Sequence, residues 1–200
     1  MPAFIVVEGL DGAGTTTQVE RLVARLRGTG RAVLRTREPT GRAVGKLIRR
    51  VLAAEADAPS PTALPWLFAA DRSDHLEAVI APALARGEVV VSDRYYHSSL
   101  AYQSLVQPLA QVHALNATFR APDLTVFVHV PPAIAIERIE RRGETREIFE
   151  RREQLERIDA AYSEVLAFLT ARGERIAQVD GTLAPDAVHA AVSALVDGVL

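Results

Sequence analysis

Two hundred residues, 48% of them hydrophobic and 24% charged, suffice for one domain with a substantial buried core and exclude a disordered or fibrous chain. A formal net charge of −2 supplies no bulk field toward nucleic acid or an anionic membrane, so any anion binding has to be local. The absence of cysteine excludes a disulfide framework, a thiolate nucleophile and cysteine-ligated metal.

Phe4–Glu8 is a short β-branched run without polar alternation, as expected of a strand buried on both faces. It ends in a glycine-rich turn. Val19, Leu22, Val23 and Leu26 then repeat at helical spacing, and Gly28 and Gly30 terminate that helix. Ala32–Thr36 reads as a second strand, and Val44, Leu47, Ile48, Val51 and Leu52 as a second helical stripe. Ala56–Pro65, with three prolines, reads as a loop or helix start. Glu88–Ser92, Leu124–Val130 and Arg175–Asp180 give three further strands with helical patterns between them. Val188, Val192, Leu195, Val196 and Val199 line one face of a final helix. Strands alternating with helices predict an α/β fold, a five-stranded parallel sheet flanked by helices, with ligands beyond the carboxyl ends of the strands. Residues 1–200 read as a single domain.

The turn after the first strand is Gly9-Leu10-Asp11-Gly12-Ala13-Gly14-Thr15-Thr16-Thr17. Gly9 and Gly14 have the spacing of Gly-x-x-x-x-Gly-Lys-Ser/Thr, a P-loop whose backbone N–H groups cradle phosphates at a helix start. Thr16 stands where that motif supplies a Mg²⁺-ligating hydroxyl. Thr15 occupies the lysine position. A unit charge about 4 Å from a phosphate oxygen is worth roughly 4 kcal/mol at an effective dielectric near 20, and a neutral hydroxyl does not replace it. Three readings follow: an arginine supplies the charge, the enzyme is slow, or the chain binds nucleotides with little chemistry. Lys46 is the only lysine, so arginine carries nearly all the positive charge.

Further segments bring a resemblance to the thymidylate kinases that runs nearly end to end. Asp11 matches an acidic position in that family's phosphate loop. Thr36-Arg37-Glu38-Pro39-Thr40-Gly41 resembles its Arg-Glu-Pro segment, and Phe68-Ala69-Ala70-Asp71-Arg72 its nucleoside-binding helix. Asp93-Arg94-Tyr95 with Ser98-Ser99-Leu100-Ala101-Tyr102-Gln103 resembles its Asp-Arg-Tyr signature and the helix that follows. Arg141-Arg142-Gly143 through Phe149-Glu150 falls where the family has a lid, here about 138–152, and Asp180-Gly181-Thr182 resembles its late loop beside the adenine.

The resemblance implies ATP as phosphate donor, Mg²⁺ and dTMP as acceptor. Gly9 through Thr17 would bind ATP, with Asp180 near the adenine. Asp93 ends an apolar strand, the arrangement that places a carboxylate near Mg²⁺ in P-loop enzymes, so Thr16 and Asp93 are the candidate metal ligands. Arg94 and Arg37 can hold a phosphate, and the resemblance gives Arg94 the dTMP phosphate. Phe68 and Arg72, four apart, share one helical face, where a ring stacks on a base and a guanidinium reaches a carbonyl. Ser99 would contact the base edge. Tyr102 would pack under the sugar and disfavour a 2′-hydroxyl. Asp11 would bond the 3′-hydroxyl or order the phosphates.

Arg138, Arg141, Arg142, Arg146, Arg151 and Arg152 form a basic cluster interleaved with six glutamates. It reads either as a solvated helix laced with ion pairs or as a lid whose Arg141, Arg142 or Arg146 replaces the missing lysine. No histidine is assigned a catalytic role. The resemblance also implies a homodimer. No nucleic-acid or membrane partner is expected: no apolar stretch approaches membrane-spanning length and no secretory leader is read at Phe4–Val7. The expected location is cytoplasmic. A catalytically weak nucleotide-binding homologue, and a kinase for another deoxynucleotide or deoxynucleoside, are the alternatives.

Overall fold

The computed structural model describes residues 1–141 and 148–200, with only the backbone of 148–151. In chain order the elements are β1 (Ala3–Gly9), α1 (Thr15–Gly28), β2 (Val33–Arg37), α2 (Ala43–Leu52), α3 (Leu64–His75), α4 (Ala81–Ala85) and β3 (Val89–Asp93). Then follow α5 (Tyr96–Gln103), α6 (Leu109–Ala114), β4 (Leu124–His129), α7 (Pro132–Glu140), α8 (Ile148–Thr170), β5 (Ile176–Asp180) and α9 (Pro185–Asp197). A π-helical turn, Leu76–Ile80, joins α3 to α4.

The five strands are parallel in the order β2-β3-β1-β4-β5. The expected architecture is therefore present, and all five strands lie within two residues of their expected ends. Burial explains the hydrophobic patterns. β1 and β3 are buried at every position, so neither shows alternation. The edge strands β2 and β5 reach solvent at alternate or neighbouring positions. Along β1 the side-chain period of two sends Ile5 and Val7 into one core with Leu22 of α1 and Val192 of α9. Phe4 and Val6 enter the other, with Leu100 of α5 and Val165 of α8. Each such valine or isoleucine contributes about 1.5–3 kcal/mol by leaving water.

Ala56–Pro65 resolves into turns that end at α3, where Pro65 sits in the first helical turn and its missing N–H costs nothing. From β1 the chain crosses to β2 on one side, and from β3 to β4 on the other. That reversal leaves a crevice at the carboxyl ends of β1 and β3. The register places Asp93 level with Val7 on one neighbour and Arg37 on the other. The residues that end β1, β2 and β3 therefore face a common space.

Candidate active site

The phosphate loop owes its shape to two glycines. Gly12 has φ 85°, and a Cβ there would stand 2.5 Å from the Ala135 carbonyl oxygen. Gly14 has φ 89° at the N-cap of α1, a left-handed conformation that costs other residues energy. No side chain caps the α1 N-terminus. Its first N–H groups are therefore available to an anion, reinforced by the helix dipole. Thr15 is buried, and its methyl lies where a Cβ on Gly9 would meet it at 3.1 Å. It brings no charge to the loop.

At the crevice floor the Thr16 hydroxyl donates to Asp93 Oδ2 at 2.6 Å. Asp93 is 8% exposed, and its Oδ1 is buried without a hydrogen-bond partner. An orphaned carboxylate oxygen is costly unless something else satisfies it. Hydroxyl and carboxylate oxygens are the ligands a hard divalent cation takes. The pair fits Mg²⁺.

Beside this pair opens a cavity of about 670 Å³, lined by Gly14–Thr17 and by Phe68, Arg72 and Gln103. Arg37, Arg49 and Arg94 also line it. Arg94 has φ 72°, unusual for a residue with a side chain, and the surroundings hold it there. Its N–H donates to the Val7 carbonyl at 3.0 Å, and its carbonyl accepts the Ser92 hydroxyl at 2.8 Å. Its Nη2 donates to Asp11 Oδ1 at 2.7 Å, and its guanidinium carbon lies 5.7 Å from the Tyr102 ring centre. Burial alone would lower the Arg94 pKa; Tyr102, Tyr162, Asp11 and Glu8 outweigh that and hold it well above the ordinary value. Tyr102, pushed up to about 12 by burial above all, keeps its proton and donates weakly to Asp11 at 3.4 Å.

Around Arg72 lies a buried polar network. Arg72 is 1% exposed. Its Nε donates to Glu38 Oε2 at 2.9 Å, its Nη2 to the Ser99 hydroxyl at 2.9 Å, and its Nη1 to Asn116 Oδ1. His75 Nδ1 lies 3.0 Å from the other Glu38 oxygen, and its Nε2 2.6 Å from the Thr36 hydroxyl. Glu38 therefore anchors Arg72 and His75 together, and His75 has a structural role. Gln103, one turn after Ser99 on α5, is 8% exposed and its Oε1 has no partner.

Asp11, Arg37, Phe68, Arg72, Arg94, Ser99 and Tyr102 are thus brought to one cavity with Leu10, Gly12 and Gly14–Thr17. Gly9 and Ala13 shape the loop without lining the cavity. Asp180 lies apart from it, at the end of β5, accepting from the Thr182 N–H at 2.8 Å and hydroxyl at 2.6 Å. Those bonds hold its carboxyl below the usual range. Arg141 is exposed and paired with Glu137 at 3.2 Å, the ion-paired-helix arrangement. Arg142 and Arg146 lie outside the described residues.

Sequence reasoning gave no individual role to Glu8, Arg49, Gln103, Arg138 or Tyr162. Arg49 donates to the Pro39 and Thr40 carbonyls; burial and the nearby Arg37 cation pull its pKa down. Its sequence signal is position: Gly45, Arg49 and Leu52 share one face of α2. Arg138 donates to the Gly181 carbonyl at 2.9 Å and more weakly to that of Ala13 at 3.5 Å, tying the late loop to the phosphate loop. Glu8 announced itself only as a carboxylate ending an apolar run.

A parallel sheet in this order, a glycine loop at a helix start and a hydroxyl–carboxylate pair beside an arginine-lined cavity define a P-loop nucleotide kinase. A thymidylate kinase family model matches residues 7–192. A thymidylate kinase of Synechococcus sp. (strain JA-2-3B'a(2-13)) is 38% identical over 199 residues, 97% of this chain and 94% of that protein. One from Solidesulfovibrio magneticus is 38% identical over 211 residues, 98% of this chain and all of the other. One from Bifidobacterium longum is 45% identical over 146 residues, 68% and 71% of the two chains. The chain belongs to the thymidylate kinase family, whose members use ATP and Mg²⁺ as P-loop kinases do, and its chemistry is phosphoryl transfer of the thymidylate kinase type.

Proposed function

We propose that the chain transfers the γ-phosphoryl group of ATP to dTMP, giving dTDP and ADP for dTTP synthesis. The observation that carries this is one cavity lined together by the α1 N-terminus, Arg94, Phe68 and Gln103. ATP phosphates lie on the backbone N–H groups of the loop. The dTMP phosphate lies against Arg94, with Arg37 and Arg49 beside it. The base stacks on Phe68, its edge meeting Ser99, Gln103 and the remaining N–H of Arg72 Nη1. The deoxyribose lies on Tyr102, close to Asp11.

An oxygen of the dTMP phosphate attacks the γ-phosphorus in line, and the bond from that phosphorus to the ADP oxygen breaks. The attacking oxygen is already ionised, so no general base is required. These residues work by alignment and charge neutralisation. Thr16 and Asp93 would hold Mg²⁺, which when bound offsets phosphate charge. An arginine of the lid, among Arg141, Arg142 and Arg146, replaces the missing lysine; such an arginine contributes roughly 10³–10⁵ in rate at P-loop sites. Arginine-to-alanine variants test that assignment, and a loss of tenfold or less at all three contradicts it.

Among the described residues no helix is long and apolar enough to cross a membrane, which accords with a cytoplasmic enzyme. Exposed Trp66 on α3 and Leu47 on α2, helices that pack together, support a homodimer; light scattering measures the mass. The substrate is tested with ATP and a panel of dTMP, dUMP, dCMP, dGMP and thymidine. Preference for dTMP is expected, and an equal rate with dCMP would overturn the base-recognition reading.

A further inference from the structure

Glu8 is a carboxylate placed inside the sheet. It is fully buried and does not line the cavity. Burying a carboxylate is costly unless its oxygens are well bonded, and here they are. Oε1 accepts the Tyr95 N–H at 2.8 Å and the Ser98 N–H at 3.3 Å. Oε2 accepts the Ser98 hydroxyl at 2.7 Å and the Tyr162 hydroxyl at 3.0 Å.

Each hydroxyl has a single proton. The two hydroxyls also lie 2.9 Å apart, a contact in which either can donate; a carboxylate is the stronger acceptor, so both protons go to Glu8 and the lone pairs face outward. Arg94 Nη1 meets them there, at 3.0 Å from the Ser98 oxygen and 3.3 Å from that of Tyr162. The chain of donation runs from guanidinium to hydroxyls and from hydroxyls to Glu8. The same carboxylate holds the N–H of Tyr95, next to the strained Arg94. It therefore constrains both the backbone and the side chain of one residue. With Nη1 held, Nη2 bonds Asp11 beside the cavity. Tyr162 comes from α8, so this contact also ties that helix to the acceptor end of the site.

We propose that Glu8, acting through the Ser98 and Tyr162 hydroxyls, is a positioning residue that orients Arg94 toward the acceptor phosphate. The inference rests on Arg94 binding that phosphate. Glu8 touches neither substrate; its effect passes entirely through the guanidinium.

The test compares Glu8→Gln, Tyr162→Phe, Ser98→Ala and Arg94→Ala by steady-state kinetics, varying dTMP and ATP separately, with melting temperatures alongside. Glu8→Gln puts a donor where an acceptor stood, so the amide opposes either the two hydroxyls or the two backbone N–H groups and the bonds that hold Arg94 are disturbed. It is expected to raise KM for dTMP tenfold or more while KM for ATP stays within twofold. Tyr162→Phe and Ser98→Ala should each raise KM for dTMP several-fold, in the same selective way. If Glu8→Gln does not fold, these two variants decide. Unchanged KM for dTMP in both, with Arg94→Ala impaired, overturns the positioning role and leaves the acceptor site standing. Unchanged KM for dTMP in Arg94→Ala overturns the acceptor assignment and the inference together. A lowered melting temperature with no split between the two KM values marks a structural role only and likewise overturns the proposal.

Discussion

The hydroxyl of Thr16 and the carboxylate of Asp93 meet at 2.6 Å, although 77 positions separate them in the chain. The contact joins the start of α1 to the end of β3 across the crevice, and it leaves the second Asp93 oxygen unpartnered. Removing either partner should damage turnover more than folding. Asp93→Ala is expected to lower kcat by about 100-fold or more, since a bound divalent cation is worth several kcal/mol of charge stabilisation. Thr16→Ala should do less and recover in part at raised Mg²⁺. Steady-state rates against Mg²⁺ concentration check this; an unaltered Mg²⁺ dependence in both variants contradicts it.

Glu38 and Arg72 form a buried pair, their side chains 4% and 1% exposed. Glu38→Ala strands a guanidinium, His75 and the Ser99 contact together. Breaking such a pair costs about 3–5 kcal/mol, which for a chain of this size lowers the melting temperature by roughly 6–20 °C. A thermal melt showing a fall of only a degree or two would mean that the network is not stabilising the fold.

These two arrangements differ in how far sequence reveals them. Thr16 and Asp93 were readable because each sits at a strand or helix end marked by local signals, a glycine loop and an apolar run. Arg72 was readable as a site residue through the resemblance carried by Phe68–Arg72, its spacing from Phe68 placing both on one helical face. Its pairing with Glu38, Asn116 and Ser99 was not, because those partners arrive from the segments after β2 and α6 and from α5 only after folding. The individual roles of Glu8, Gln103 and Tyr162 were illegible for the same reason. Their importance lies in what packs around them, and one carboxylate or phenol in a helix or strand carries no periodic signal. The strand order, too, emerges only from packing, whereas the buried strands themselves follow directly from runs such as Phe4–Val7.

Gln103 should read the base. Gln103→Leu keeps the volume and removes the amide. A neutral hydrogen bond is worth about 0.5–1.5 kcal/mol, so KM for dTMP should rise about two- to twelvefold with kcat little altered. Isothermal titration with dTMP gives the same comparison free of turnover, and equal affinities would remove Gln103 from the site.

Tyr102 should select against ribonucleotides. Tyr102→Ala opens the space below the sugar and is expected to narrow the preference for dTMP over ribothymidine monophosphate by at least about tenfold, on the order of 1.4 kcal/mol. Competition between the two acceptors measures it; an unchanged ratio would place discrimination elsewhere.

Glu174 predicts an acid limb in stability. Burial pulls its carboxyl up, but the hydrogen bond from His97 at 3.2 Å, the His97 charge and the Tyr96 hydroxyl outweigh burial and leave it below the ordinary value. A folded value below the unfolded one, about 4.3, means that the contribution is complete above the unfolded value. It is lost as pH falls through the folded one. Glu174→Gln should therefore lose less stability than the natural protein between about pH 6 and about pH 3.5. Urea unfolding at both pH values tests the sign, and equal losses would contradict it.

The central claim is that a kinase operates with Thr15 where P-loop enzymes carry lysine. A coupled ADP-release assay with ATP, Mg²⁺ and dTMP, run on the natural protein beside Thr15→Lys, tests it most directly. The account predicts turnover on the order of 1 s⁻¹ or more in the natural protein, with little gain from lysine. Negligible turnover restored by Thr15→Lys would contradict it, leaving a nucleotide-binding member of the family whose chemistry was lost at one residue.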